Sequence, residues 1–94
     1  MFKKSWFGSW TTDVDEGFSV RYGRDFAVYR EGSRQLTLSI DIGGKAATIV
    51  VGSGARWDDD PSKSVDTATQ MKIIERVKKA LEWSGLQVSL FGGI

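Results

Sequence analysis

Arg34-Gln35-Leu36-Thr37-Leu38-Ser39-Ile40-Asp41-Ile42 is the stretch that decides the fold class. Leu36, Leu38, Ile40 and Ile42 fall at alternate positions, with Gln35, Thr37, Ser39 and Asp41 between them. Successive side chains of an extended chain point to opposite faces, so this is a strand of a sheet buried on one side only. Gly43-Gly44 follows, and two glycines take up positive φ at little cost, as a tight hairpin requires. Lys45 to Val51 is then the partner strand, enriched in β-branched residues at Thr48, Ile49, Val50 and Val51. Upstream, Phe18, Val20 and Tyr22 alternate with Ser19 and Arg21. Phe26 to Arg30 is a further strand, joined to the long one through Glu31-Gly32-Ser33. Residues 18–51 therefore read as an antiparallel meander.

Downstream the period changes. Residues 52–65 form an acidic loop punctuated by Gly52, Gly54 and Pro61. Residues 66–84 carry a helical pattern. At 100° per residue Gln70, Ile73, Ile74, Val77, Ala80 and Leu81 gather on one side, with Lys72, Arg76, Lys79 and Glu82 opposite. Asp66 suits the N-cap, and Thr67-Ala68-Thr69-Gln70 offers a capping box as the alternative start. Gly85 ends the helix, and Leu86, Val88 and Leu90 then alternate through a last strand, 86–91. The expectation is a single α+β domain over residues 1–94. Its antiparallel sheet of about five strands is a β-meander, then a helix, then a last strand, with the long helix packed on one face. Residues 1–17 form an aromatic-rich segment in which Trp6, Phe7 and Trp10 are read as folding back over the edge of the core.

Composition narrows the chemistry. Ninety-four residues with 40% apolar and 27% charged side chains support one modest core without metal or disulfide staples. The net charge of +1, from 13 basic and 12 acidic residues, argues against a dedicated nucleic-acid or membrane-surface binder. Histidine and cysteine are both absent, which removes the commonest general base, the commonest transition-metal ligand and all thiolate chemistry. The start of the chain has no apolar run of signal-peptide length, and no segment approaches the roughly 18 apolar residues of a membrane span. A soluble cytoplasmic protein is the expectation, without cofactor.

The motifs that invite a catalytic reading fail on register. Asp41-Ile42-Gly43-Gly44-Lys45 begins like a phosphate-binding turn, but Lys45 stands where an Asp-x-Gly-Gly-Thr turn wants threonine. A Walker loop would need glycine at Ser39 and a hydroxyl at Ala46. Gly52-Ser53-Gly54 lacks the third glycine of a dinucleotide fingerprint and leads into an acidic loop. Asp13, Asp15 and Glu16 precede a glycine in the wrong register for an EF-hand, so they read as a solvated acidic turn. Asp58, Asp59 and Asp60 are adjacent, and adjacent carboxylates seldom converge on one cation. No pair of acids is singled out for general acid–base work. An enzyme is not indicated.

What remains is Arg56-Trp57-Asp58-Asp59-Asp60-Pro61. Three adjacent acids repel one another, and Trp57 beside them is costly to leave near water. An acidic, aromatic-flanked loop suits a basic protein partner, because complementary charge speeds association and tryptophan makes hot spots. A structural role for Trp57, capping the core beneath the loop, stands beside that reading. Trp83 has a helical angle near Arg76 and Lys79, so it either tucks inward from a frayed last turn or is shown to a partner. The candidate contact residues are therefore Trp57, Asp58, Asp59, Asp60, Arg76 and Trp83. Reversing the charge of Asp58, Asp59 and Asp60 is expected to leave folding nearly unaffected while weakening the complex.

A strand ending in small residues, Arg56-Trp57-Asp58, a short acidic loop with a proline and a capped helix together resemble one family of immunity proteins. That family belongs to bacterial polymorphic-toxin and contact-dependent growth inhibition systems. The helix Met71-Lys72-Ile73-Ile74-Glu75-Arg76-Val77-Lys78-Lys79-Ala80-Leu81-Glu82 and the closing Gly85-Leu86-Gln87-Val88 continue the similarity, which spans roughly residues 49–90. The family's loop is richer in proline where this chain has Asp58-Asp59-Asp60. The resemblance implies a non-catalytic cytoplasmic protein that neutralises a cognate toxin domain, often a nuclease, by plugging its active site or by blocking a neighbouring surface. It also implies that Arg56 and Trp57 belong to the shared scaffold and that the aspartates carry specificity. The alternative from the residues themselves is a small nucleic-acid-binding module using a polar sheet face with Arg21, Arg30 and Arg34 and the nearby Tyr22 and Tyr29.

Overall fold

A computed structural model of the protein describes residues 1–4, 10–52 and 54–93. The strand that decided the fold class, β5 (Arg34–Gly43), lies within a sheet that also contains β1 (Phe2–Lys4), β2 (Thr11–Asp13), β3 (Phe18–Tyr22), β4 (Phe26–Glu31), β6 (Ala46–Val51) and β7 (Gln87–Gly92). One helix, α1 (Thr67–Trp83), separates β6 from β7. Among the described residues the protein is thus α+β, with a seven-stranded mixed sheet in the order β1-β2-β3-β4-β5-β6-β7 and one helix. The sheet is larger than the expected five strands and is not wholly antiparallel.

Two causes account for the difference. At the N-terminal edge, β1 and β2 are three residues each, and the positions of β2 that point toward the core are Thr11 and Asp13, both buried. Polar residues at inward positions leave no hydrophobic alternation to read. Asp13 is accommodated because its carboxylate accepts the backbone N–H groups of Asp15 (2.9 Å) and Glu16 (3.1 Å), so the expected solvated turn is tied to the sheet. Trp6 and Phe7 lie outside the described residues. At the other edge β7 runs parallel to β6, from Ala46 opposite Gln87 to Val51 opposite Gly92. A helix of 17 residues at about 1.5 Å per residue carries the chain back along the full length of β6, so the next strand must start where β6 starts.

The helix-facing side of the sheet is the core. Phe18, Val20, Ala27, Tyr29, Leu36, Leu38, Ile40, Ala47 and Ile49 meet Ile73, Ile74, Val77, Ala80 and Leu81 of α1, with Val65 closing the end. The hairpin between β5 and β6 turns at Gly44, whose φ of +61° is the left-handed conformation that the Gly-Gly pair anticipates. Gly92 closes β7 for a different reason. Its φ is +99°, and a Cβ there would stand 2.3 Å from the Val51 carbonyl oxygen. Asp66 is the N-cap of α1, its carboxylate accepting from the Thr69 N–H, and the Thr69 side chain first, with that N–H second, holds Asp66 below the usual carboxylate range. Gln70, read as half of an alternative capping box, instead donates its side-chain amide to the Gly52 carbonyl at 2.6 Å, and so ties the helix to the start of the loop.

Candidate partner-binding surface

The acidic loop is built on an open stretch of β5. β4 pairs with Arg34–Ser39 of β5, whereas β6 pairs only with residues from Ile40 onward. Backbone groups of Gln35 and Thr37 face away from β4, with no strand to meet them. The loop meets them instead. The Asp58 N–H donates to the Gln35 carbonyl (2.7 Å), the Gln35 N–H to the Asp59 carboxylate (2.8 Å) and the Thr37 N–H to the Asp58 carboxylate (3.2 Å). The Thr37 hydroxyl and the Gln35 side-chain amide add bonds of 2.5 and 3.3 Å to the other Asp58 oxygen. An unpaired strand edge is an array of donors and acceptors, and carboxylates suit its N–H groups.

The arms of the loop also hold one another. Arg56 and Ser64 form an antiparallel bridge, the Val65 N–H donates to the Ala55 carbonyl (2.8 Å), and the Trp57 N–H reaches the Lys63 carbonyl (3.3 Å). Arg56 donates through its guanidinium to the Pro61 carbonyl at 3.2 Å. Asp60 caps the turn by accepting the hydroxyl (2.5 Å) and backbone N–H (3.3 Å) of Ser62, and the Ser62 hydroxyl above all holds the Asp60 carboxyl below its usual range. Trp57 is half-buried against the core, with the Arg34 guanidinium 4.4 Å above its ring. Asp58 and Asp59 stay exposed although their oxygens accept hydrogen bonds.

Four of the six candidate residues, Trp57, Asp58, Asp59 and Asp60, therefore lie together on one fixed loop. The other two do not join them. Arg76 is buried, its side chain only 11% exposed, and this corrects its placement on the polar side of the helix. Its guanidinium donates to the Tyr29 hydroxyl (2.6 Å), to Glu31 (3.2 Å) and to Glu16 (3.2 Å), and lies 4.9 Å from the centre of the Phe18 ring. Arg76 is one turn from both Ile73 and Ala80, so its backbone sits at the border of the apolar stripe. A long stem can then cross the border and deliver the charge to partners on β4. Trp83 is 48% exposed at the end of α1 and packs against Phe2 of β1, ring centres 5.9 Å apart, while Phe2 meets Phe18 edge-on at 6.0 Å. β1 is four strands from β5, about 19 Å across the sheet, so Trp83 belongs to another part of the surface.

No protein-family model, no curated protein and no solved structure matches this chain. The surface has to be read from its own chemistry. Sequence reasoning missed Gln35 and Thr37 as anchors of the loop, because both anchors are more than 20 residues distant in the chain. The nucleic-acid alternative counted Tyr22 and Tyr29 as aromatics near the polar sheet face, whereas Tyr29 is fully buried in the core and Tyr22 packs against it. Among the described residues no helix is long and apolar enough to cross a membrane.

Burial pushes the Tyr29 hydroxyl up to about 12, with Glu31 reinforcing the rise and Arg76 opposing it. A tyrosine whose proton is held more tightly in the folded state stabilises the fold fully below its unfolded value near 10, and that contribution is lost as pH rises from there through about 12. Urea unfolding of the wild type and Tyr29→Phe at pH 9 and pH 11 checks this. The wild type is expected to lose more stability between the two than the variant does, and equal losses contradict the assignment.

Proposed function

We propose that this protein is an immunity protein, which binds a cognate toxin domain of nuclease type in the cytoplasm of the producing bacterium and neutralises it. The observation that carries this reading is the acidic loop at residues 56–65. Its backbone is fixed by its own arms and by β5 before any partner arrives, yet Asp58 and Asp59 remain exposed. A loop ordered in advance pays little conformational entropy on binding, and clustered carboxylates complement the basic groove with which a nuclease holds phosphate. Trp57 is the scaffold of the loop more than its contact, because one flank rests on the core and Arg34 lies over its ring.

The partner on this account is the C-terminal domain of a large secreted protein encoded next to this chain. Expressed alone in a bacterial host, that domain should stop growth, and co-expression of this protein should restore growth and yield a complex that co-purifies. Growth arrest that persists despite abundant folded protein would refute the proposal.

A further inference from the structure

The sheet face turned away from α1 carries a second charged feature, opposite in sign to the loop. Register places Lys3, Thr12, Ser19, Arg30 and Gln35 in one row across β1 to β5, each directly opposite the next. Arg21 lies on the same face two residues beyond Ser19 in β3, beside Trp10. The guanidiniums of Arg30 and Arg21 stand over the Trp10 ring, 4.0 and 5.2 Å from its centre. Both arginines and Lys3 are exposed. None of the three forms an ion pair among the described residues. The residues not described, 5–9, 53 and 94, contain no acidic side chain, so they supply no Asp or Glu partner.

We propose that this face, around Trp10, is a docking site for an acidic segment of a protein partner, with Arg21 and Arg30 receiving its carboxylates. A guanidinium stacked on an indole keeps its planar N–H edge free and loses little freedom when a carboxylate binds it in a bidentate fashion. The Thr12 and Ser19 hydroxyls, 2.8 Å apart within the same row, offer further donors between Lys3 and Arg30. Lys3 and Arg30 are separated by three strand spacings, about 14 Å, a span that fits a few side-chain carboxylates. The patch ends at Gln35, whose amide groups are bonded to Asp58 and Asp59, so carboxylates begin one strand beyond the last cation. A phosphate backbone continuing across the sheet would run into them. Stacking of bases is also disfavoured, because guanidiniums already occupy the ring of Trp10. This inference stands whether or not the partner is a toxin.

The test is an NMR titration of the labelled full chain with capped hexaglutamate and, separately, with hexathymidylate. Hexaglutamate should shift the Trp10 indole N–H and the Arg21 and Arg30 side-chain N–H signals, weaken with added salt, and bind about tenfold less tightly to Arg21→Ala/Arg30→Ala. Arg21→Lys/Arg30→Lys keeps the charge and protects against a folding defect; its affinity should fall below that of the wild type because the planar fork is gone. Absence of shifts at these three residues, wild-type affinity in the lysine variant, or hexathymidylate binding at least as tightly as the peptide would each overturn the proposal.

Discussion

Arg76→Ala is expected to lower the free energy of unfolding by about 3 kcal/mol, more than any other single change at a charged residue of this chain. The guanidinium is the common partner of Tyr29, Glu31 and Glu16 and lies over Phe18. Truncation removes charge-assisted bonds to three groups and leaves a cavity above the Phe18 ring. Glu16 and Glu31 are about half exposed and turn to water when the arginine is gone, which keeps the cost from rising higher. Tyr29 keeps its bond to Glu31 at 2.7 Å. Arg76→Met retains the packing of the stem and should cost about 1 kcal/mol, since the two glutamates it leaves are half exposed and turn to water. Urea denaturation of the two variants reads the difference. An alanine variant as stable as the wild type would put this side chain back on the surface, where the helical pattern had it.

The second large effect is on binding. Neutralising the loop with Asp58→Asn/Asp59→Asn/Asp60→Asn should weaken the proposed complex with a toxin domain by about 3 kcal/mol, roughly a hundredfold in Kd. Lysine at these positions, the reversal suggested by the sequence, is the poorer experiment. The expectation that it leaves folding nearly unaffected does not fit the bonds that Asp58 and Asp59 accept from Gln35 and Thr37, or those that Asp60 accepts from Ser62. Lysine would remove every one of those acceptors and detach the loop, so lost binding would report lost structure. Asparagine keeps an acceptor oxygen at each position while removing the charge. Thermal unfolding of the asparagine variant should therefore shift little, and the affinity should fall mainly through a slower association rate.

These cases mark how far the chain could be read. The alternation in β5, the Gly43-Gly44 hairpin and the stripe from Gln70 to Leu81 each come from a local period, and each element formed within a residue or so of its expected ends. Alternation assigns faces but carries no direction, so the parallel run of β7 was hidden. β2 was hidden because Thr11 and Asp13 face inward, and only the backbone N–H groups that follow explain how an aspartate is tolerated there. Arg76 shows the limit of helical angles for a residue at the border of a stripe, where side-chain length decides the destination. For the acidic loop the composition was legible and the anchoring was not. The stretch of β5 that it covers exists only because β6 leaves its neighbour after Ile40, a property of the assembled sheet.

The anchoring also alters what the three aspartates mean. They looked like an unrelieved electrostatic cost that only a partner could justify. In the fold they cover the open edge of β5 and hold their own turn, so they have a local structural use beside the partner contact proposed for them. The basic patch around Trp10 begins one strand away, which gives this side of the sheet a cationic and an anionic half with Gln35 between them. A partner that covers both halves must present charges of both signs in a fixed register, a stricter condition than a basic groove alone imposes.

The central claim is that this loop binds a basic toxin domain through its charge, and calorimetric titration of that domain into the wild type and the triple asparagine variant, at low and high salt, tests it most directly. The account predicts tight binding by the wild type, a Kd about a hundredfold weaker for the variant at low salt, and a gap that narrows as salt is added. Equal affinities for a variant that is folded as well as the wild type would contradict it.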